Sequence, residues 1–142
     1  MQITPSDELV SDFATSINSR LNAGGGPAKM KFYTGTKRAK PNTDISAAIT
    51  AGTIKLLGTA TCSATAGALN AGLRRFVFNT ILQDGAADDT GTATWASFET
   101  VGGVSVLDVD CSTVGGNGFA QMNSTNIIVG GPISVNSCYI EF

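Results

Sequence analysis

The chain has 142 residues, a formal net charge of −2, no histidine and only 14% charged residues, against about 25% in an average soluble protein. This balance gives no electrostatic drive toward nucleic acid or anionic membrane, and without imidazole the usual general base and metal ligand is missing. No apolar run reaches the roughly 20 residues of a membrane-spanning helix, while a 42% hydrophobic content suffices for one core-bearing domain.

The first residues, Met1 to Glu8, lack the basic start and apolar core of a signal peptide, so folding in the cytoplasm is expected. Thr4-Pro5-Ser6-Asp7 reads as a helix start, with Thr4 as N-cap and Pro5 at the first helical position. Leu9, Val10, Phe13, Ala14, Ile17 and Leu21 recur at helical spacing and predict one apolar face. The spacing predicts an amphipathic helix or arm within 1–23, and Gly24 to Pro27 reads as a hinge. Such a helix must dock on its own domain or on a neighbouring subunit, because alone it is marginal in water.

From Ala28 the period becomes two. Met30 and Phe32 alternate with Lys29, Lys31 and Tyr33, the pattern of a strand with one wet face. Further strands are expected at 53–61, 73–82, 95–101, 104–111, 127–129 and 133–142, the last ending on Tyr139-Ile140-Glu141-Phe142 as a sheet-closing strand. Gly102-Gly103 marks a hairpin, and 34–42, 63–72, 84–91 and 114–118 read as loops. These signals predict a mainly β domain over 28–142, an antiparallel β-sandwich of jelly-roll type with seven or eight strands and one N-terminal helix. Core candidates are Phe76, Phe78, Trp95, Leu107, Val109, Ile133 and Val135.

Chemistry-bearing patterns are weak. The glycines at 24–26 end a helix and precede a strand, the reverse of a phosphate loop. The acidic loop Asp84 to Asp89 lacks calcium-loop spacing. Asp108 and Asp110 stand at i, i+2 on one strand face, a carboxylate pair of the kind acid–base work uses, but such a pair is more often a wetted face at a sheet edge. No catalytic residue, metal site or cofactor is therefore expected. Lys37, Arg38 and Lys40 form the one dense basic cluster, either a solvated loop tip or a contact for an acidic neighbour such as another copy's 84–89 loop. Cys62, Cys111 and Cys138 are odd in number and without zinc spacing. They read as buried thiols or as one disulfide, within or between subunits.

The run Lys31-Phe32-Tyr33-Thr34-Gly35-Thr36 with its proline-bearing loop resembles a pattern in small virion proteins of tailed bacteriophages. So does the acidic loop leading to Thr90-Gly91-Thr92-Ala93-Thr94-Trp95, followed by a glycine-centred hairpin, a polar Asn123-Ser124-Thr125 segment and a closing strand at Ile133 to Tyr139. The resemblance spans about residues 28–142 and implies a β-sandwich virion component present in multiple copies, with no catalytic residues to transfer. Within a virion the expected role is a capsid decoration (cement) protein bound to the major capsid protein, as a homo-oligomer. A neck, collar or tail component is the alternative. From another class, a carbohydrate-binding β-sandwich would use exposed aromatics, for which Tyr33, Trp95 and Tyr139 are the candidates. Tentative subunit-contact residues are Leu9, Phe13, Ile17, Lys37, Arg38 and Lys40.

Overall fold

A computed structural model describes residues 3–142; Met1 and Gln2, which begin the expected 1–23 segment, lie outside the described residues. In chain order the described elements are α1 (Asp7–Leu21), β1 (Lys29–Tyr33), α2 (Ser46–Ala51), β2 (Leu56–Thr61), β3 (Gly67–Asn70), β4 (Arg75–Phe78), β5 (Gly91–Thr92), β6 (Trp95–Glu99), β7 (Ser105–Thr113), β8 (Ala120–Met122), β9 (Asn126–Ile127) and β10 (Val135–Glu141). The fold is mainly β, as expected, but its centre is one mixed sheet in the order β2-β1-β6-β7-β8-β10-β4-β3, with β5 and β9 as a separate ribbon. The pairing is antiparallel except at one place, where β7 and β8 run parallel, and the main strands form this one sheet rather than the two packed sheets expected. Six residues connect them, too few for an ordinary crossover. The loop doubles back instead, and the Gln121 side chain bonds its backbone at Gly115, Gly116 and Gly118.

The sheet curls over on itself. β6 and β4 are four strand spacings apart in sheet order, about 19 Å on a flat sheet. Yet Phe98 of β6 and Phe78 of β4 stack with ring centroids 4.3 Å apart. Only a strongly curled sheet brings those two faces together. The β2 edge is covered, and the β3 edge is capped at its first residue. The outer edge of β2 is covered by the 82–88 segment: Thr61 and Leu82 exchange backbone bonds, Asp88 N–H donates to the Leu57 carbonyl, and Thr59 N–H donates to Asp84 Oδ2. Gly58 lets Asp84 come this close, because a Cβ there would collide with that carboxylate. At the other edge, the Asn18 carboxamide acts as a one-residue strand. It donates to the Gly67 carbonyl at 2.8 Å and accepts from the Gly67 N–H at 3.1 Å. Covering an edge in this way disfavours templated pairing with another chain there.

Helix α1 starts two residues later than expected. Ser6, not Thr4, is the N-cap, its hydroxyl accepting from Leu9 N–H, with Asp7 and Glu8 favourable in the first turn. Val10, Ala14, Ile17 and Leu21 are buried, and the last three belong to the same core as Met30, Phe32, Phe76 and Phe98. Burial of each large apolar side chain contributes about 1.5–3 kcal/mol. The helix is thus docked on its own sheet, and a hinged arm does not describe it. The expected apolar face is divided: Leu9 and Phe13 stay 58% and 42% exposed. Of the core candidates, Phe76, Phe78, Val109 and Ile133 line the main core, Leu107 and Val135 are only partly buried against it, and Trp95 belongs to a second cluster.

Four elements differ from the sequence reading. α2 lies inside a stretch not assigned to any element, β3 forms within the 63–72 segment read as a loop, β5 begins at the end of the 84–91 loop, and β8 lies between two expected strands. The expected 73–82 strand is shortened to Arg75–Phe78 and the 53–61 strand to Leu56–Thr61.

Candidate functional site

All five residues of β6 are buried, which requires cover on both faces of the sheet. Ala96 and Phe98 face the main core. Trp95, Ser97 and Glu99 point the other way, where the 34–55 crossover lies over β1, β6 and β7. Cross-strand register builds this outer face: Tyr33 stands opposite Trp95 and Trp95 opposite Asp110, while Lys31, Ser97 and Asp108 form the next row. A bulge between Phe98 and Glu99 turns Ser105 to the same side, opposite Glu99.

Arg38 organises the face. Its guanidinium donates to both Asp108 oxygens, at 2.8 and 3.0 Å, to Ser97 Oγ at 2.9 Å, to Ser105 Oγ at 2.8 Å and to the Thr43 carbonyl at 3.2 Å. Its carbon Cζ also lies 5.5 Å from the Trp95 ring centroid, within cation–π range. The Arg38 and Asp108 side chains are 8% and 5% exposed, so the pair is buried and bidentate. The solvated-tip reading of the basic cluster therefore fails at Arg38, whose charge is committed to Asp108 inside the same chain. Lys37 bonds Asp110 at 2.9 Å and Lys40 stays exposed. Asp108 and Asp110 share a face but each is held by its own cation, which suits them to bracing rather than to proton transfer.

Neighbouring groups close the network. Lys31 pairs with Glu99 at 2.8 Å. Asn42, in the left-handed region at φ 64, bonds both the Ser105 N–H and carbonyl through its carboxamide. Tyr33 stacks on Trp95 at 4.5 Å, and the Trp95 indole N–H donates to the Thr34 carbonyl. Burial, followed by the Glu99 charge, pushes the Tyr33 phenol up to about 12. The Asp108 hydrogen bond, the largest influence, holds the Arg38 guanidinium above its usual value. Ile54 and the partly buried Ile45, Ala48 and Leu56 complete the cluster. Tyr33 and Trp95 are accordingly buried, and Tyr139 is covered by Arg75, whose Cζ is 4.3 Å from its ring centroid.

The acidic loop is internal bracing as well. Asp84 Oδ2 accepts from Thr59 N–H, its Oδ1 accepts from Ala86 N–H, and Asp89 lies 3.7 Å from Lys55. Among the described residues no group of His, Cys, Asp or Glu could hold a metal ion. All three cysteines are free thiols. Cys111 and Cys138 are both registered to Ala120 from opposite sides, about 9.5 Å apart at two strand spacings, beyond disulfide reach. Burial pushes Cys62 up to about 11 and Cys111 up to about 12, and raises Cys138 further. Thiols in this state are unreactive at neutral pH.

Large apolar side chains stand among the exposed residues. Ile128 and Val129 protrude at 68% and 59% exposure, and the β6–β7 hairpin tip shows Val101 and Val104. Sequence reasoning missed Asn18, Asn42, Ser97, Glu99 and Ser105 as organising residues. Only Asn42 carried a local signal, since asparagine tolerates the left-handed region. No family model matches the chain, and no curated protein or solved structure matches it either.

Proposed function

We propose that this protein is a non-enzymatic structural component of a tailed-bacteriophage virion, a capsid decoration protein that binds the outside of the head and stabilises it through subunit contacts. The observation that carries the reading is the character of the surface. The ion pairs at Arg38, Lys31 and Lys37 are made within the chain, while Ile128, Val129, Val101, Val104 and Val114 are left exposed at loop tips. Large apolar side chains on a charge-poor surface fit permanent packing against neighbours better than free diffusion. The curled sheet, with Phe78 and Phe98 meeting across the core, serves as the two-walled jelly-roll-like shell of such a subunit. The major capsid protein is the partner, and the loop tips are its contacts.

Mass spectrometry of purified particles of the phage that encodes this chain should detect it in many copies, and cryo-electron microscopy should place it on the head exterior. Ile128→Asp combined with Val129→Asp should lower its occupancy on particles without changing its thermal midpoint. Density at the neck or tail would replace decoration with a collar or tail role. Absence from particles would remove the virion reading altogether.

A further inference from the structure

Helix α1 lies over a split in the sheet. β8 separates β7 from β10 only over its three residues, Ala120 to Met122. Beyond Ala120 the two strands have no strand between them, and Phe13 lies beside this stretch, still 42% exposed. Its ring meets Phe142 edge-on at 5.0 Å. An apolar cleft of about 400 Å³ opens beside it, bounded by Leu9, Phe13, Ile140 and Phe142.

Leu9, Phe13, Ser16 and Arg20 follow one another at i, i+4, i+7 and i+11, a straight stripe along the exposed flank of α1. Leu9 is 58% and Phe13 42% exposed. The stripe has opposite charge at its two ends. Glu8 and Asp12 stand one turn apart on the same side of Leu9, Arg20 stands at the far end, and none of the three forms a salt bridge among the described residues. A stripe of this kind is complementary to itself when reversed. In an antiparallel pair related by a two-fold axis, Phe13 lies over the small Ser16 of the other copy, and Ser16 under its Phe13. Leu9 lies along the stem of the other copy's Arg20, whose guanidinium falls between Glu8 and Asp12. The same contacts occur twice, as an isologous interface demands.

We propose that the exposed flank of α1 is a homodimer surface, occupied by the same helix of a second copy running antiparallel. Large-against-small packing supplies the apolar centre, and the Arg20 contacts to Glu8 and Asp12 fix direction and register. The dimer is independent of any role in a virion and is measured on the purified chain alone.

Sedimentation equilibrium of the full chain should show a reversible monomer–dimer equilibrium. Arg20→Glu should weaken it about tenfold, because two symmetry-related sets of partly exposed ion pairs become repulsive. Glu8→Arg with Asp12→Arg should do the same. Combining all three reversals in one chain should restore the affinity to within about threefold of the original. Ser16→Phe should weaken dimerisation by filling the space that receives Phe13. All four positions are exposed, so circular dichroism and the thermal midpoint should stay native and show that the fold is intact. A chain that remains monomeric to about 1 mM overturns the proposal, and so does a dimer indifferent to Arg20→Glu or one that the triple reversal fails to restore.

Discussion

Strand β6 is buried on both faces, and the two faces are held by different physics. On the inner side, Ala96 and Phe98 sit in an apolar core with Met30, Phe32, Phe76 and Phe78. On the outer side, Trp95, Ser97 and Glu99 lie under the crossover with Arg38, Asp108 and Ser105. Apolar packing is non-directional, so the inner face loses stability in proportion to the surface and volume removed. The outer face depends on one cation that serves Asp108, two hydroxyls and a carbonyl. Removing that cation leaves a buried carboxylate unpaired, which is costly whatever the size of the replacement. Two layers of the same sheet should therefore respond differently to substitution: one in graded fashion, one as a unit.

The largest break on the inner side is removal of α1. Deleting residues 1–23 strips Ala14, Ile17 and Leu21 from the core and the Asn18 carboxamide from the β3 edge. Two large apolar contributions, the smaller Ala14 and two hydrogen bonds approach the whole stability of a domain this size, about 5–15 kcal/mol. The truncated chain should lose its cooperative urea transition and bind a hydrophobic dye. A cooperative transition at an unchanged midpoint would show that the helix is dispensable to the core and would restore the hinged-arm description.

How far the sequence reached differs between the two sides in the same way. The inner side was legible because its signals are local. Val10, Ala14, Ile17 and Leu21 recur within one helix, and Met30 and Phe32 alternate within one strand. β3 and β8 were not legible, because Gly67-Ala68-Leu69-Asn70 and Ala120-Gln121-Met122 lack β-branched residues. They become strands through pairing with Arg75–Phe78 in the first case, and with Cys111–Thr113 and Val135–Cys138 in the second. The outer side was hidden for a stronger reason. Arg38 and Asp108 are 70 residues apart, and a run containing Lys37, Arg38 and Lys40 looks like a solvated face until the register of β1, β6 and β7 places a carboxylate beneath it. That register sets which side chains oppose each other, and no short-range pattern reports it.

A smaller break tests the outer side. Arg38→Met keeps the stem and removes the charge, leaving Asp108 buried at 5% exposure without its partner. The expected loss is about 3–5 kcal/mol. Adding Asp108→Leu to Arg38→Met should recover most of it, since replacing a buried pair by apolar residues of similar volume is close to neutral. Urea denaturation of the two single variants and the double variant forms a complete cycle. If the double variant is as unstable as the sum of the singles, the two groups are not coupled and the view of this face as one unit is wrong.

Alkaline pH separates the two sides by their titrating groups. The inner side holds Cys62 and Cys138 as buried thiols, with Cys111 packed against it; the outer side holds Tyr33. Burial raises all of them in the folded chain, Cys62 to about 11, and Cys111 and Tyr33 to about 12. In the unfolded chain the thiols ionise near 9.0 and the phenol near 10.0. The unfolded state therefore releases its protons first, and stability falls as pH rises. The contribution is fully present below about pH 9, erodes first through the thiols, and declines further above about pH 10 as Tyr33 joins. A variant carrying Cys62→Ala, Cys111→Ala and Cys138→Ala should keep a flat urea midpoint to about pH 10, where the native chain is already falling. Adding Tyr33→Phe should flatten the remaining decline. Identical pH profiles for the native and cysteine-free chains would mean that the thiols ionise as readily folded as unfolded, and that the inner side is open to hydroxide in a way its packing does not allow.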